Sequence, residues 1–144
     1  MFADTFVLLF VAHYLSDFPL QTDRLATRKA GWTEGEEDPH PGRHHHGWGA
    51  NLVHAGTHVA TTAALLAIGV LALGLDVRLP AAAAALAWVG LSHSLIDRRI
   101  GVRWWMEHTG QSGYLETGGA AQVDQAAHIG LGLFPAALLL TVLS

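Results

Sequence analysis

The chain contains no cysteine, which excludes disulfides, thiolate metal ligands and a cysteine nucleophile, and leaves any bound metal to nitrogen and oxygen donors. Charge is scarce. Charged residues make up 14% of the 144 residues against 51% hydrophobic ones, and the mean hydropathy is +0.30. This is too apolar for a typical soluble domain, and the length suits one small domain. A basic field is missing as well: the formal net charge is −4, with acidic residues gathered between Glu34 and Asp38, so no nucleic-acid partner is expected. The N-terminal apolar stretch lacks the basic start of a secretory leader and carries His13 and Asp17. It is expected to stay attached as a span.

Long apolar runs are what the chain does have. They cover about 5–21, 51–75, 79–96 and 123–143, each near the ~20 residues that cross a bilayer as a helix. The expected fold is all-α: a four-helix transmembrane bundle in a single integral membrane domain over residues 1–144, with a His-rich loop at 22–50. Arg24, Arg28, Lys29 and Arg43 lie in the first loop, Arg98, Arg99 and Arg103 in the third, and Arg78 alone in the second. By the positive-inside rule, loops 1 and 3 are cytoplasmic and the N and C termini lie outside. Trp48, Trp104 and Trp105 then fall near the cytoplasmic interface as aromatic anchors.

Ionisable residues interrupt these runs in pairs spaced i,i+4: His13/Asp17, His54/His58, His93/Asp97 and Asp124/His128. On a helix that spacing sets both side chains on one face, one turn apart, aimed at a common point. The first and third pairs come late in helices running inward, the second and fourth early in helices running outward. All four therefore share one depth, in the cytoplasmic half of the membrane. His13-Tyr-Leu-Ser-Asp17 and His93-Ser-Leu-Ile-Asp97 also share the pattern H-x-L-x-D, a short internal repeat.

Imidazole with carboxylate suits zinc first, and manganese or iron as well, and facing helices build two-metal centres from such pairs. The three aspartates of the set are balanced by two divalent ions and a bridging hydroxide, which matters where unpaired charge is expensive. Chemistry of this kind hydrolyses phosphate esters or carbonyl compounds, and Arg98, Arg99 and Arg103 stand ready for a phosphate. Gln21 and Gln125 are candidates to hydrogen-bond the ligands or the substrate.

Each feature also has a plainer use. His13/Asp17 and His93/Asp97 could be self-neutralising hydrogen bonds, Asp97 could pair with Arg98 or Arg99, and Asp124 and Asn51 could cap helix N-termini. The histidines of the segment from His40 to His46 read as a solvated linker or, alternatively, a metal-recruiting loop. His108 reads as surface. Gly130 and Gly132 are expected to let the last helix approach a neighbour closely.

The segment from His13 to Asp23 with its H-x3-D-F-x-L-Q pattern, followed by His54-x3-His58, His93-x3-Asp97 and Asp124-Gln125-x2-His128, resembles the DUF3307 family of small multi-spanning membrane proteins of bacteria and phages. The resemblance covers nearly the whole chain and implies a multi-pass protein of the bacterial inner membrane. The spacing of His and Asp is also distantly similar to that of the membrane-bound metal-dependent hydrolases. The leading functional expectation is a membrane-embedded metal-dependent hydrolase with a dinuclear His/Asp centre near the cytoplasmic leaflet, acting on a phosphate ester or lipid head group. The alternatives are a non-catalytic, metal-stapled membrane interaction protein, a divalent-metal transporter and a di-iron oxidase. Four spans enclose little volume, so a homo-oligomer could complete the pocket.

Overall fold

Proline and glycine set most of the helix boundaries. The computed structural model describes residues 1–144 as helices α1 (Phe2–Asp17), α2 (Asp23–Arg28), α3 (Trp48–Leu73), α4 (Leu79–Ile96), α5 (Ile100–His108), α6 (Ser112–Glu116) and α7 (Ala120–Val142), with an antiparallel pair of short strands, β1 (Trp32–Thr33) and β2 (His44–His45). Helix α1 ends at Asp17 because Pro19 has no N–H to continue it and disfavours helical backbone at the preceding Phe18. The expected first span, 5–21, is therefore a helix of 16 residues starting at Phe2, short of the ~20 of a full crossing. Three helices, α3, α4 and α7, are long and apolar enough to cross a membrane.

Helix α3 starts at Trp48, ahead of the expected boundary at 51, after Gly47 turns the chain with φ 73°. A side chain there would collide with the carbonyl of Arg28, so glycine is required by both conformation and space. Pro80 sits in the first turn of α4, where its missing N–H costs nothing. Pro135 lies inside α7 and leaves the carbonyl of Leu131, four residues back, without its helical donor. The indole Nε1 of Trp88 on α4 donates to that oxygen at 3.0 Å, and the helix widens to a π-turn from His128 to Leu133 just before the proline.

Helix α1 packs against α3 and α7, and α4 packs against the same two helices. Buried positions recur at helical spacing, as in Asn51, His54, His58, Thr62 and Leu66 along α3. Leu9, Leu66, Val89, Leu133 and Leu140 form an apolar core at one end, while the buried positions toward the other end carry His and Asp. Close approach occurs at Gly90, where a Cβ would meet Val59 at 2.9 Å, and at Gly132, where it would meet Ser92 Oγ at 3.3 Å. Gly130 faces open space, contrary to expectation, because residues two apart on a helix point to nearly opposite sides and Gly132 takes the seam.

The first and third connections meet at the His/Asp end: Arg98 Nη1 donates to the carbonyls of Lys29 and His46, at 3.0 and 2.6 Å, and its guanidinium lies over Trp48. At the opposite end the backbone N–H of Arg78 donates to Ser144 Oγ at 3.4 Å. The first connection folds into a cap, within which the segment from His40 to His46, expected as a solvated linker, is largely exposed. Thr22 caps α2 through Leu25 N–H, Trp32 stacks on His45 with ring centroids 4.3 Å apart, and buried Glu34 takes hydrogen bonds from His45 Nε2 at 2.7 Å and His40 N–H at 2.8 Å. The His45 hydrogen bond holds the Glu34 carboxyl below its usual range. In the third connection Arg99 adopts φ 58°, turning the chain from α4 into α5 by a left-handed residue that is uncommon outside glycine.

Candidate metal centre

Each of the four expected pairs is delivered by its own helix. Helix α1 carries His13 and Asp17 in its last turns, α3 carries His54 and His58, α4 ends on His93 with Asp97 as its C-cap, and α7 opens with Asp124 and His128. All of these side chains are buried.

Asp17 is the hub. Its Oδ1 lies 3.0 Å from His54 Nε2, 3.2 Å from His58 Nε2 and 3.8 Å from His93 Nε2. Its Oδ2 lies 3.2 Å from His13 Nε2 and accepts from Gln125 Nε2 at 2.8 Å. Asp97 Oδ2 is 3.2 Å from His93 Nε2 and 3.6 Å from His54 Nε2, and its Oδ1 is 3.7 Å from His128 Nε2. The rings of His58 and His93 stack with centroids 3.5 Å apart.

Two groups have atoms placed to share an ion, Asp17 with His54, His58 and His93, and His93 with Asp97 and His128, the atoms of each lying within 4.8 Å of one another. The sets overlap at His93, whose single facing nitrogen can serve one ion at a time. His13 and Asp124 stand beside these groups. His13 Nε2 donates to Gln125 Oε1 at 3.0 Å, and Asp124 supplies the backbone carbonyl that accepts from His128 Nδ1 at 2.9 Å. That bond leaves Nε2 of His128 as the atom facing the centre, the usual way a ligand imidazole is oriented.

Hydrogen bonding alone does not satisfy this arrangement. Nε2 of His93 and His128, Oδ2 of Asp97 and Oδ1 of Asp124 are buried without a hydrogen bond, while Asp97 Oδ1 meets the ammonium of Lys29 at 3.0 Å; unpartnered groups of this kind are costly in an apolar interior. Convergent nitrogen and carboxylate lone pairs around one point are what a divalent cation needs. The buried His/Asp groups are thus compatible with a metal site.

Lys29 is the residue that spacing does not reveal. It is the only lysine in the chain, it is 6% exposed, and it reaches in from the cap at the end of α2. Its Nζ lies 3.0 Å from Asp97 Oδ1, 3.0 Å from His54 Nε2 and 3.9 Å from Asp17 Oδ1. Its one trace in the sequence is the use of lysine once where every other cationic side chain is arginine.

Gln21 donates from Nε2 to the backbone carbonyl of Asp17 at 2.6 Å, so it braces the end of α1 rather than the carboxylate. Arg98 is held by the cap as described, while Arg99 and Arg103 are exposed. Asp97 pairs with Lys29 and not with Arg98 or Arg99. Neither Asn51 nor Asp124 is an N-cap: α3 and α7 begin before them, and Asn51 is joined to Ser94 instead. His40, His44, His45 and His46 belong to neither ligand group, and His108 is exposed with its ring stacked on Trp104.

The family described as "Protein of unknown function (DUF3307)" matches residues 5–133, and the chain belongs to that family. No curated protein and no solved structure matches it.

Proposed function

We propose that this DUF3307 chain is a membrane-embedded, metal-dependent hydrolase acting on a phosphate ester or lipid head group. Its helices α1, α3, α4 and α7 would form a four-helix transmembrane bundle in the bacterial inner membrane, with the charged connections and the His/Asp centre on the cytoplasmic side, as the distribution of arginine favours. Zinc suits the donors best, and manganese or iron would accept the same set.

The observation that carries this reading is surplus. A structural zinc closes with four ligands, which Asp17, His54, His58 and His93 supply. Asp97, Asp124, His128 and Lys29 remain buried around them, and polar groups in a membrane interior are expensive enough to mark function. A π-turn beginning at His128 points the same way, since such turns concentrate at functional sites. A divalent ion here would supply Lewis acidity and an acidified water. Among the protein groups, Asp124 fixes the His128 ring so that Nε2 can take or return a proton, Gln125 holds Asp17, and Lys29 can neutralise charge developing on a substrate oxygen. Arg99 and Arg103, exposed at the loop end of α4 and in α5, would meet an anionic head group.

A staple is the second reading, favoured by the burial of every ligand. The two part in a bilayer assay. Protein loaded with zinc in nanodiscs should release phosphate or head group from phosphomonoester or phospholipid substrates, and His128→Ala should lose that activity while retaining metal. Retained metal with no turnover on either substrate class would favour the staple. Transport would instead require zinc flux into proteoliposomes that depends on Asp17 and Asp97.

A further inference from the structure

We propose that the recess between α2 and the start of α3 binds the phosphate of an anionic lipid, with Arg24 and Arg28 as its counter-ions. This site is separate from the metal centre and needs neither a bound ion nor catalysis.

Arginine is the unpaired charge of this molecule. Every ion pair in the chain draws its cation from Lys29, a histidine or the N-terminus, and none from an arginine. Arg98 is engaged all the same, on the carbonyls of Lys29 and His46. Arg24 and Arg28 stand one turn apart on α2, a spacing that sets them on one face, and both line a recess of about 530 Å³, within the range of small-molecule sites. No carboxylate lines it. Glu34, the buried acid of the same cap, is occupied by His45 Nε2 and the His40 N–H, which leaves the two guanidiniums without an anion.

The recess is also held in shape. Arg28 is half-buried and its guanidinium lies 4.1 Å over the Trp32 ring, which is itself stacked with His45. A guanidinium laid over an indole keeps its N–H edge free for the oxygens of a phosphate. Keeping that charge partly out of water without a counter-ion is costly, and an anion in the recess offsets the cost. Trp48 forms another wall and lies under the guanidinium of Arg98 at 4.5 Å. Gly47 presses α2 against the start of α3, since no side chain fits between it and the Arg28 carbonyl.

The far end of the lining selects a lipid over a free anion. Ala50 and Val53 continue the recess onto the outer face of α3, where Leu52 and Val53 are 61% and 60% exposed on a helix long and apolar enough to cross a membrane. Exposed Trp48 at the start of that helix suits a membrane interface. Paired cations above an apolar helix face match a phosphate head group above its acyl chain, and basic recesses at membrane surfaces hold anionic lipids. Lys29, next in the chain, turns the other way, to Asp17 and Asp97, so the two neighbouring cations serve separate sites.

The test is lipid binding by native mass spectrometry of the detergent-purified full chain, with elution volume confirming the folded state of each variant. Short-chain phosphatidylglycerol should bind more tightly than short-chain phosphatidylcholine or inorganic phosphate. Arg24→Gln and Arg28→Gln should each weaken it by about 10-fold, as loss of a charge-assisted hydrogen bond does. Arg43→Gln removes the same charge from the same cap outside the recess and should leave binding unchanged. Arg24 is exposed, so its variant reads binding even where Arg28→Gln disturbs the cap. Equal affinity for the two lipids, or a loss in Arg43→Gln equal to that in Arg24→Gln, would overturn the site. Inorganic phosphate binding as tightly as phosphatidylglycerol, with the same dependence on Arg24 and Arg28, would overturn the lipid and leave a site for free phosphate.

Discussion

Asn51 and Ser94 join α3 to α4 by a two-way link beside the buried His/Asp groups: Asn51 Nδ2 donates to the Ser94 carbonyl at 3.0 Å, and Ser94 Oγ donates to Asn51 Oδ1 at 2.5 Å. Both residues are buried. The link fixes the turn of α4 that carries His93 against the turn of α3 that carries His54. Asn51→Ala leaves a carbonyl and a hydroxyl without partners and should destabilise the protein by about 1–3 kcal/mol, with Ser94→Ala costing less because it removes only one bond. Thermal unfolding in detergent measures both.

The indole of Trp88 replaces the donor that Pro135 lacks. Trp88→Phe leaves the Leu131 carbonyl, on the outer surface of the bundle, without its donor and should cost about 0.5–1.5 kcal/mol. Adding Pro135→Ala to that variant returns a backbone N–H within reach of Leu131 and should recover part of the loss. No recovery would mean that the Trp88 contact matters for packing alone.

Metal removal should loosen the fold, because Asp17, His54, His58 and His93 come from three separate helices, α1, α3 and α4, and an ion that binds only the folded state stabilises it. At a free concentration about 1,000 times its dissociation constant, zinc would add about 4 kcal/mol. Chelation should lower the unfolding temperature and zinc should restore it. Gln125→Ala, which frees Asp17 Oδ2, should weaken zinc binding by about 10–100-fold, in line with loss of a ligand's hydrogen-bond partner. Equal unfolding temperatures with and without chelator would contradict the linkage.

The cap should respond to acid through Glu34. Its carboxyl is held low by hydrogen bonding from His45, so its contribution is fully present above the ordinary Glu value of about 4.3 and is lost as pH falls through the lower folded value. Backbone amides at Gly42 and Glu34, which pair across the hairpin, should lose hydrogen-exchange protection in that acid window. In Glu34→Gln the same amides should show a flat profile over that range.

Much of this site could be read from spacing, because i,i+4 pairs in apolar helices fix both the face and, with topology, the depth of their side chains. What spacing could not carry was the part made by loops. Lys29 reaches the centre only because Gly47, Gly31 and Arg98 fold the first connection over the helix ends, and those contacts have no periodic signature. Helix limits shifted for equally local reasons: Pro19 stops α1 early, and Gly47 starts α3 sooner than hydropathy alone suggests. The π-turn at His128 leaves no periodic signature either, and Trp88, which meets the carbonyl that the proline abandons, lies far away in sequence.

Metal content bears most directly on the central claim. The full chain, purified in detergent without chelators, should carry stoichiometric zinc or iron by inductively coupled plasma mass spectrometry, and His58→Ala should lose it while eluting as folded protein. Background metal in wild type, persisting after incubation with zinc, manganese and ferrous iron, would contradict a metal centre and leave the buried histidines and aspartates as a hydrogen-bonded network closed by Lys29.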